Sequence, residues 1–421
     1  MTQYDITIVG GGSVGVTLAC ALARIAQLKI LLVEAAPMKG FCTAVGVDVV
    51  ARKHEYRRYF DAVSTALSRG TAEIFHQLNL WSEIRQYATP LQQIHISEKD
   101  RFGQSVIDAK QEKVPALGYV VENHWLTSVL LAQLQKTSVE CRSPVSITAV
   151  KPINEGWEVV LSNTAQQTKD VVSTKLLVGS DGSHSSVRKL LGIEASHEDY
   201  QQTAVVTNVV TEKQGLMAFE RFMPTGPLAL LPLIEKRYAL VWSLPPDQAK
   251  AMIELSPQDF LVHVQKNFGH RLGAFTQVGE RNLYPLQLIQ AKEMVRPHCV
   301  LLGNAARTLH PVAGQGFNLA VRDIAALTAL IQRQYQRQQP LGDLQSLLNF
   351  SEQRQKDQTK VVQFTDTLLR TFSRPSEGWL GLRNLGLVTF DLWPSAKHLL
   401  SVHAMGKGAY VKLGDKPDET I

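Results

Sequence analysis

The chain is poor in everything that would staple it or carry it through a bilayer. It has four cysteines in 421 residues, Cys20, Cys42, Cys141 and Cys299, far apart and without a C-x-x-C pair. That excludes a disulfide framework and the common zinc spacings, so no metal site is expected and a reducing compartment fits. No apolar run reaches the roughly 18 residues that span a bilayer. The nearest, from Leu228 to Leu244, is broken by Pro232, Glu235, Lys236 and Arg237. The first residues enter an apolar strand pattern at once, leaving no room for a secretory signal, so a cytoplasmic location is expected. There is no internal repeat, low-complexity tract or block of lysine and arginine. Although the net charge is +6, nothing points to nucleic acid. The mild basic balance fits anionic cofactors or an anionic membrane surface.

What is present is ordinary globular composition, 44% hydrophobic and 19% charged, in a chain long enough for two or three domains. Its most informative stretch opens the sequence: the apolar run Ile6-Thr-Ile-Val9, a glycine turn, and an apolar helical pattern from Ser13. Gly10, Gly12 and Gly15 match G-x-G-x-x-G, and Glu34 closes the next apolar run about 20 residues on, where a ribose-binding acid belongs. One glycine makes the turn, one admits a pyrophosphate, and one lets helix and strand pack closely; free N–H groups from Ser13 onward then hold phosphate.

Ser64 to Tyr87 reads as two short helices. Leu91 to Ile107 alternates about a turn at Asp100-Arg-Phe-Gly103, as a hairpin does. Tyr119 to Asn123 is a strand entering a helix to Leu134. Leu176-Leu-Val178 is a buried strand followed by Asp181-Gly182, and Thr203 to Trp242 reads as a second sheet with turns at Pro224-Thr-Gly226 and Glu235-Lys236. Val300-Leu-Leu-Gly-Asn304 is another short strand. A glycine-rich turn then opens a long helix from Gly316, and Leu341 to Phe372 is helical with Arg354 and Asp357 on one face. The apolar residues from Trp379 to Trp393 suit a helical cap on the core, a partner surface or a membrane contact.

Three distant segments thus place glycine and a polar group after a buried strand: Gly10 to Gly15, Asp181-Gly182, and Gly303-Asn304 with His310-Pro311-Val-Ala-Gly314-Gln315-Gly316-Phe-Asn318. In an open α/β sheet such ends converge on a ligand. The set resembles the aromatic-ring flavoprotein monooxygenases. Phe219-Glu-Arg-Phe222, Gly226-Pro-Leu-Ala-Leu-Leu-Pro232, Tyr284-Pro-Leu286 and Leu309 to Leu319 are similar to the ubiquinone-biosynthesis hydroxylase branch. Gly303-Asn304 in place of Gly-Asp is similar to its 2-polyprenyl-6-methoxyphenol hydroxylase subgroup.

The resemblance implies a Rossmann-like FAD-binding domain (1–90, 119–190 and 282–345), a mainly antiparallel β-sheet substrate domain (91–118 and 191–281) and a helical C-terminal region (346–421). It implies FAD held by Gly10, Gly12, Ser13, Gly15, Glu34, Glu122, Asp181, Gly182, Gly303, Asn304, Gly314, Gln315, Gly316 and Asn318. Glu122 falls equally where a helix cap would. NADPH or NADH and O2 are the implied co-substrates, and the implied reaction is hydroxylation of a polyprenylated phenol through a C4a-hydroperoxyflavin. Phe219, Arg221, Phe222, Pro232 and Trp242 are expected on the substrate side. His310 and Tyr284 are candidate bases, each open to a purely structural reading, with Pro311 beside His310. Peripheral contact with the inner membrane surface or a multi-enzyme assembly would suit such a substrate. Another flavoprotein oxidoreductase of the same fold, an epoxidase or sister ring hydroxylase, and a non-catalytic prenyl-lipid carrier remain alternatives. Two positions depart from the family: Asn304 replaces an acid but still accepts a hydroxyl hydrogen bond, and Val63 replaces a cation, for which Arg57, Arg58 or Arg69 is expected to substitute.

Overall fold

A computed structural model describes residues 1–38, 63–101, 103–163, 168–308 and 315–373. The Trp379–Trp393 segment lies outside these residues. Five strands assemble in parallel in the order Cys299–Leu301, Thr168–Gly179, Thr2–Val9, Ile30–Val33, Glu140–Arg142. Strands covered on both faces have no polar side, and every residue of Ile30–Val33 is accordingly buried. The helices Ser13–Leu22, Asn123–Leu134 and Gln315–Gln336 pack on one face. The antiparallel pair Ser146–Ile153 and Gly156–Asn163 brings Ile147, Val159 and Leu161 to the other. Val9 stands opposite both Gly179 and Val33, and Gly179 opposite Leu301. The carboxyl ends therefore finish level, and the turns that leave them share one edge.

The second sheet has nine strands. It is antiparallel except where Met217–Phe222 runs parallel to Gln93–Glu98. The helices Pro246–Glu254 and Pro257–Phe268 cover one face, where Phe219, Leu230, Tyr238, Leu240 and Trp242 meet Phe260 and Phe268. Alternate residues, Ala218 and Ala239 among them, point the other way, against Leu91, Leu117 and Val120 at the small sheet Ser64–Ser68, Gly118–Glu122, Thr89–Leu91. This second face, the inner face, is the one turned to the nucleotide-binding part. Across it Arg237 donates to Glu122 Oε1 at 2.7 Å, both side chains nearly fully buried.

Two expectations change. Ser64 to Ser68 is a strand, paired along its length with Gly118–Glu122, and only from Arg69 does the chain become helical, capped by Ser68 Oγ accepting from Thr71 N–H. A five-residue segment with weak local preference follows its pairing partner. Asn282–Ala291 belongs to the second sheet, paired with Ala195–Thr211, rather than to the FAD-binding part. The Leu91–Ile107 hairpin, the strands from Thr203 to Trp242 and the charged helix Leu344–Ser373 are found as expected. Among the described residues no helix is long and apolar enough to cross a membrane.

Removing one member of a buried ion pair leaves the other charge uncompensated. Glu122→Ala is expected to cost about 3 kcal/mol of unfolding free energy by urea denaturation. A change below about 0.5 kcal/mol, the range of an ordinary surface substitution, would show that the pair does not hold the small sheet to the second sheet.

Candidate cofactor and substrate site

Gly10 has φ of +107°, and a Cβ there would lie 2.5 Å from the Ser180 carbonyl oxygen. Ser180 closes that contact from its own side. Its N–H donates to the Val9 carbonyl at 2.7 Å, and its hydroxyl reaches the Val9 and Gly10 carbonyls at 2.9 and 3.1 Å. Gly15 is equally constrained, since a Cβ there would lie 1.9 Å from the Gly10 oxygen. Helix Ser13–Leu22 can therefore begin directly beneath the turn. No side chain caps it, so the N–H groups of its first turn remain for a ligand.

The three motif segments meet in one cleft of about 500 Å³. Its walls include Gly10, Gly12, Ser13, Glu34, Asp181, Gly182, Gly303, Asn304 and Gly316. Glu34 is fixed in place by Gly11 N–H, donating to Oε2 at 2.5 Å, and Ala36 N–H, donating to Oε1 at 2.8 Å. A carboxylate retains further lone pairs for a ribose hydroxyl. Asp181 shapes its own turn: Oδ1 accepts from the Ser185 hydroxyl at 2.5 Å and Oδ2 from Ser186 N–H at 2.6 Å. Arg188, buried behind it, donates to the Ser183 and Ala305 carbonyls at 2.6 and 2.8 Å and so ties the Asp181 turn to the Gly303 turn. Sequence reasoning quoted Arg188 within its motif but missed this clasp, because the partner carbonyl is 117 positions away.

The cleft fits FAD on the structure's own terms. A Cβ at Gly12, Gly182 or Gly316 would meet nothing within 4 Å, so these glycines border open space rather than packed protein. Asn304 is exposed on the wall with no side-chain partner among the described residues, and the Gln315 side-chain carbonyl is buried without one. Both are available to a bound ligand.

Other expected residues fall elsewhere. Asn318 is buried and holds the Ser64–Ser68 strand: its Nδ2 donates to the Ala66 carbonyl at 2.8 Å, and its Oδ1 accepts from Ser68 N–H and the Thr71 hydroxyl, each at 2.8 Å. Glu122 stands at a helix N-cap, but its carboxylate makes no cap bond and instead pairs with Arg237. Of the residues expected at the substrate, Phe222 alone lies on the inner face. Phe219 and Trp242 are in the helix-covered core, with Phe219 edge-on to Phe268 at 5.1 Å. Pro232, opposite Tyr238, and Arg221, two along from Phe219, share that outer side. The correction follows from strand parity: large aromatics fill the layer that helices cover. Tyr284 is 45% exposed, paired with Ala204 at the margin of the inner face. His310, Pro311, Gly314, Arg57 and Arg58 lie outside the described residues. Val63 is exposed, and Arg69 gives its Nε to Glu73 at 2.9 Å while Nη1 is buried without a partner.

A level-ended parallel sheet with a glycine-lined dinucleotide cleft, backed by a large antiparallel sheet, defines a two-sheet flavoprotein. The chain belongs to the family described as FAD binding domain, which it matches over residues 3–365. It is 30% identical to ubiquinone hydroxylase UbiL of Rhodospirillum rubrum, across 98% of this chain and 91% of that protein. It is also 30% identical to the human mitochondrial ubiquinone biosynthesis monooxygenase COQ6, across 92% and 89%. Its fold superposes with a TM-score of 0.73 on p-nitrophenol 4-monooxygenase PnpA from Pseudomonas putida, at 17% identity, covering 96% and 99% of the two chains.

Gly12→Ala separates cofactor space from folding. Since a methyl at Gly12 meets no protein atom and its φ of −69° suits alanine, thermal stability is expected to stay within about 0.5 kcal/mol of the parent. FAD affinity is expected to fall by about tenfold or more, measured by flavin fluorescence. Unchanged affinity would place the pyrophosphate elsewhere.

Proposed function

We propose that the chain is an FAD-dependent, NAD(P)H-consuming monooxygenase that hydroxylates the aromatic ring of a polyprenylated phenol in ubiquinone biosynthesis. The observation that carries this reading is the convergence of the three motif turns on one glycine-lined cleft, in a chain whose relatives over nearly its full length include ubiquinone hydroxylases and monooxygenases. A lipid carrier has no use for an open pyrophosphate cradle at Gly12 and Gly182.

Bound FAD would supply the redox chemistry, accepting a hydride and passing one oxygen atom of O2 to the ring. The chain's residues bind, orient and insulate. Gly12 and the first turn of Ser13–Leu22 receive the pyrophosphate, with the positive end of the helix directed at it. Glu34 receives the adenosine ribose and Asn304 the ribityl hydroxyls. The start of Gln315–Gln336 presents backbone N–H groups where negative charge develops on the reduced ring. The inner face of the second sheet, rich in aliphatic side chains, keeps water from the reacting atoms. A prenylated substrate also suggests work at a membrane surface or within a multi-enzyme assembly.

The purified protein should be yellow, carry FAD, and oxidise NADPH or NADH faster when a short-chain prenylphenol is added, with a hydroxylated ring as product by mass spectrometry. A colourless protein that takes up no FAD would overturn this reading.

A further inference from the structure

We propose that Glu220 takes the proton from the ring hydroxyl of the substrate, activating the ring for attack. The proposal rests on the ring-hydroxylase reading above and gives a role to Glu220, which the motif Phe219-Glu-Arg-Phe222 contains but to which no role was attached.

The register of the second sheet defines the setting. Val206 stands opposite Val241, Val241 opposite Ala229, Ala229 opposite Glu220, and Glu220 opposite Ile96. These five residues form one straight row across five strands. All five are half-buried, whereas their outward-facing neighbours Val205, Trp242, Leu228 and Phe219 are buried. The row lies on the inner face, because Ala218 and Ala239, one pair along from it, pack against the small sheet. The row is thus a strip of half-buried aliphatic side chains on the face turned to the nucleotide-binding part, and Glu220 is its one ionisable member.

Glu220 has no hydrogen bond or ion pair among the described residues, and the residue is half-buried. The nearest charged groups on the same face do not neutralise it. Glu98 lies one row along, opposite Phe222. Arg237 lies two rows along and is committed to Glu122. Leu228–Pro232 contributes no charge, and the described residues of Ser64–Ser68 and Gly118–Glu122 contribute only Glu122. His95 is directed to the opposite face, beside Phe219. Burial alone pushes the Glu220 carboxyl up to about 7. A base poised near neutrality is suited to a hydroxyl such as a phenol, whose pKa is about 10. Tyr284 is too distant to act on the same hydroxyl, because its strand is four strands away, about 19 Å at normal strand spacing.

The step balances. The proton leaves the ring oxygen for Glu220, and that oxygen's electron pair is delocalised towards the carbon to be hydroxylated. After oxygen insertion the hydrogen displaced from that carbon leaves as a proton and is consumed in the water formed as second product. The ring regains aromaticity as Glu220 returns its proton to the first oxygen, ending ionised as it began.

The test uses the FAD-loaded protein without NAD(P)H and a short-chain prenylated para-nitrophenol, whose ionised form is coloured. In the wild type the bound probe and Glu220 share a proton, so the colour titration should be displaced by about one pH unit or more from that of Glu220→Gln. In turnover with a prenylphenol, kcat/KM of the wild type should rise through about pH 7 as Glu220 ionises. Glu220→Gln should lose that limb and about 100-fold in rate, while Glu220→Asp should recover part of both. Superimposed colour titrations for wild type and Glu220→Gln would overturn the proposal. Should Glu220→Gln not fold, Glu220→Ala, which removes the carboxyl, carries the comparison, and superposition with wild type is again the refuting result. A wild-type protein that binds FAD but not the probe would refute the ring-hydroxylase reading itself, and the proposal with it.

Discussion

Where the chain turns from Val9 into Gly10 it passes so close to the Ser180 carbonyl that no side chain fits between them, and the cofactor cleft depends on that crossing. The Ser180 hydroxyl bridges the Val9 and Gly10 carbonyls, Gly10 N–H donates to the Val33 carbonyl at 2.8 Å, and Gly15 packs on the Gly10 oxygen. Arg188 extends the same frame to the Gly303 turn through the Ala305 carbonyl. Three turns far apart in sequence are thereby held by backbone contacts and by two side chains, Ser180 and Arg188, that bond to backbone carbonyls. Such a frame keeps phosphate-binding N–H groups in place before a ligand arrives, which lowers the ordering cost of binding.

The second sheet divides its labour by parity. One set of alternating residues joins Phe260 and Phe268 of the covering helices to build a helix-on-sheet core. The other set faces the nucleotide-binding part, is secured to it by the buried Glu122–Arg237 pair, and leaves an aliphatic row open beside Glu220. The strand Met217–Phe222 contributes to both, with Phe219 in the core and Glu220 on the open face. A shift of one residue in its register would exchange these roles.

Much of this was legible in the sequence. Gly10, Gly12, Gly15 and Glu34 announce a dinucleotide turn because their spacing follows from local geometry. Asp181-Gly182 and Gly303-Asn304 could be placed beside them because each follows a buried strand. What was not legible depends on partners distant in sequence. Ser64 to Ser68 is a strand because Gly118–Glu122 lies alongside it. Asn318, expected at the flavin, has its side chain bonded to that strand and to Thr71. The face to which Phe219 or Trp242 points follows from sheet register, which composition does not reveal. A signal for Glu220 was present but weak: a lone carboxylate between three apolar residues and an Arg-Phe in the strand Met-Ala-Phe-Glu-Arg-Phe.

The central claim is that a cleft built from three backbone turns holds FAD so that one atom of O2 reaches the ring of a prenylated phenol. The most direct measurement follows isotopically labelled dioxygen into product, with the FAD-loaded protein, a prenylphenol and one equivalent of NADPH or NADH. The account predicts one labelled oxygen atom in each newly hydroxylated ring and none from labelled water. Oxygen taken from water, or reduced dioxygen released as peroxide with the ring unchanged, would contradict it.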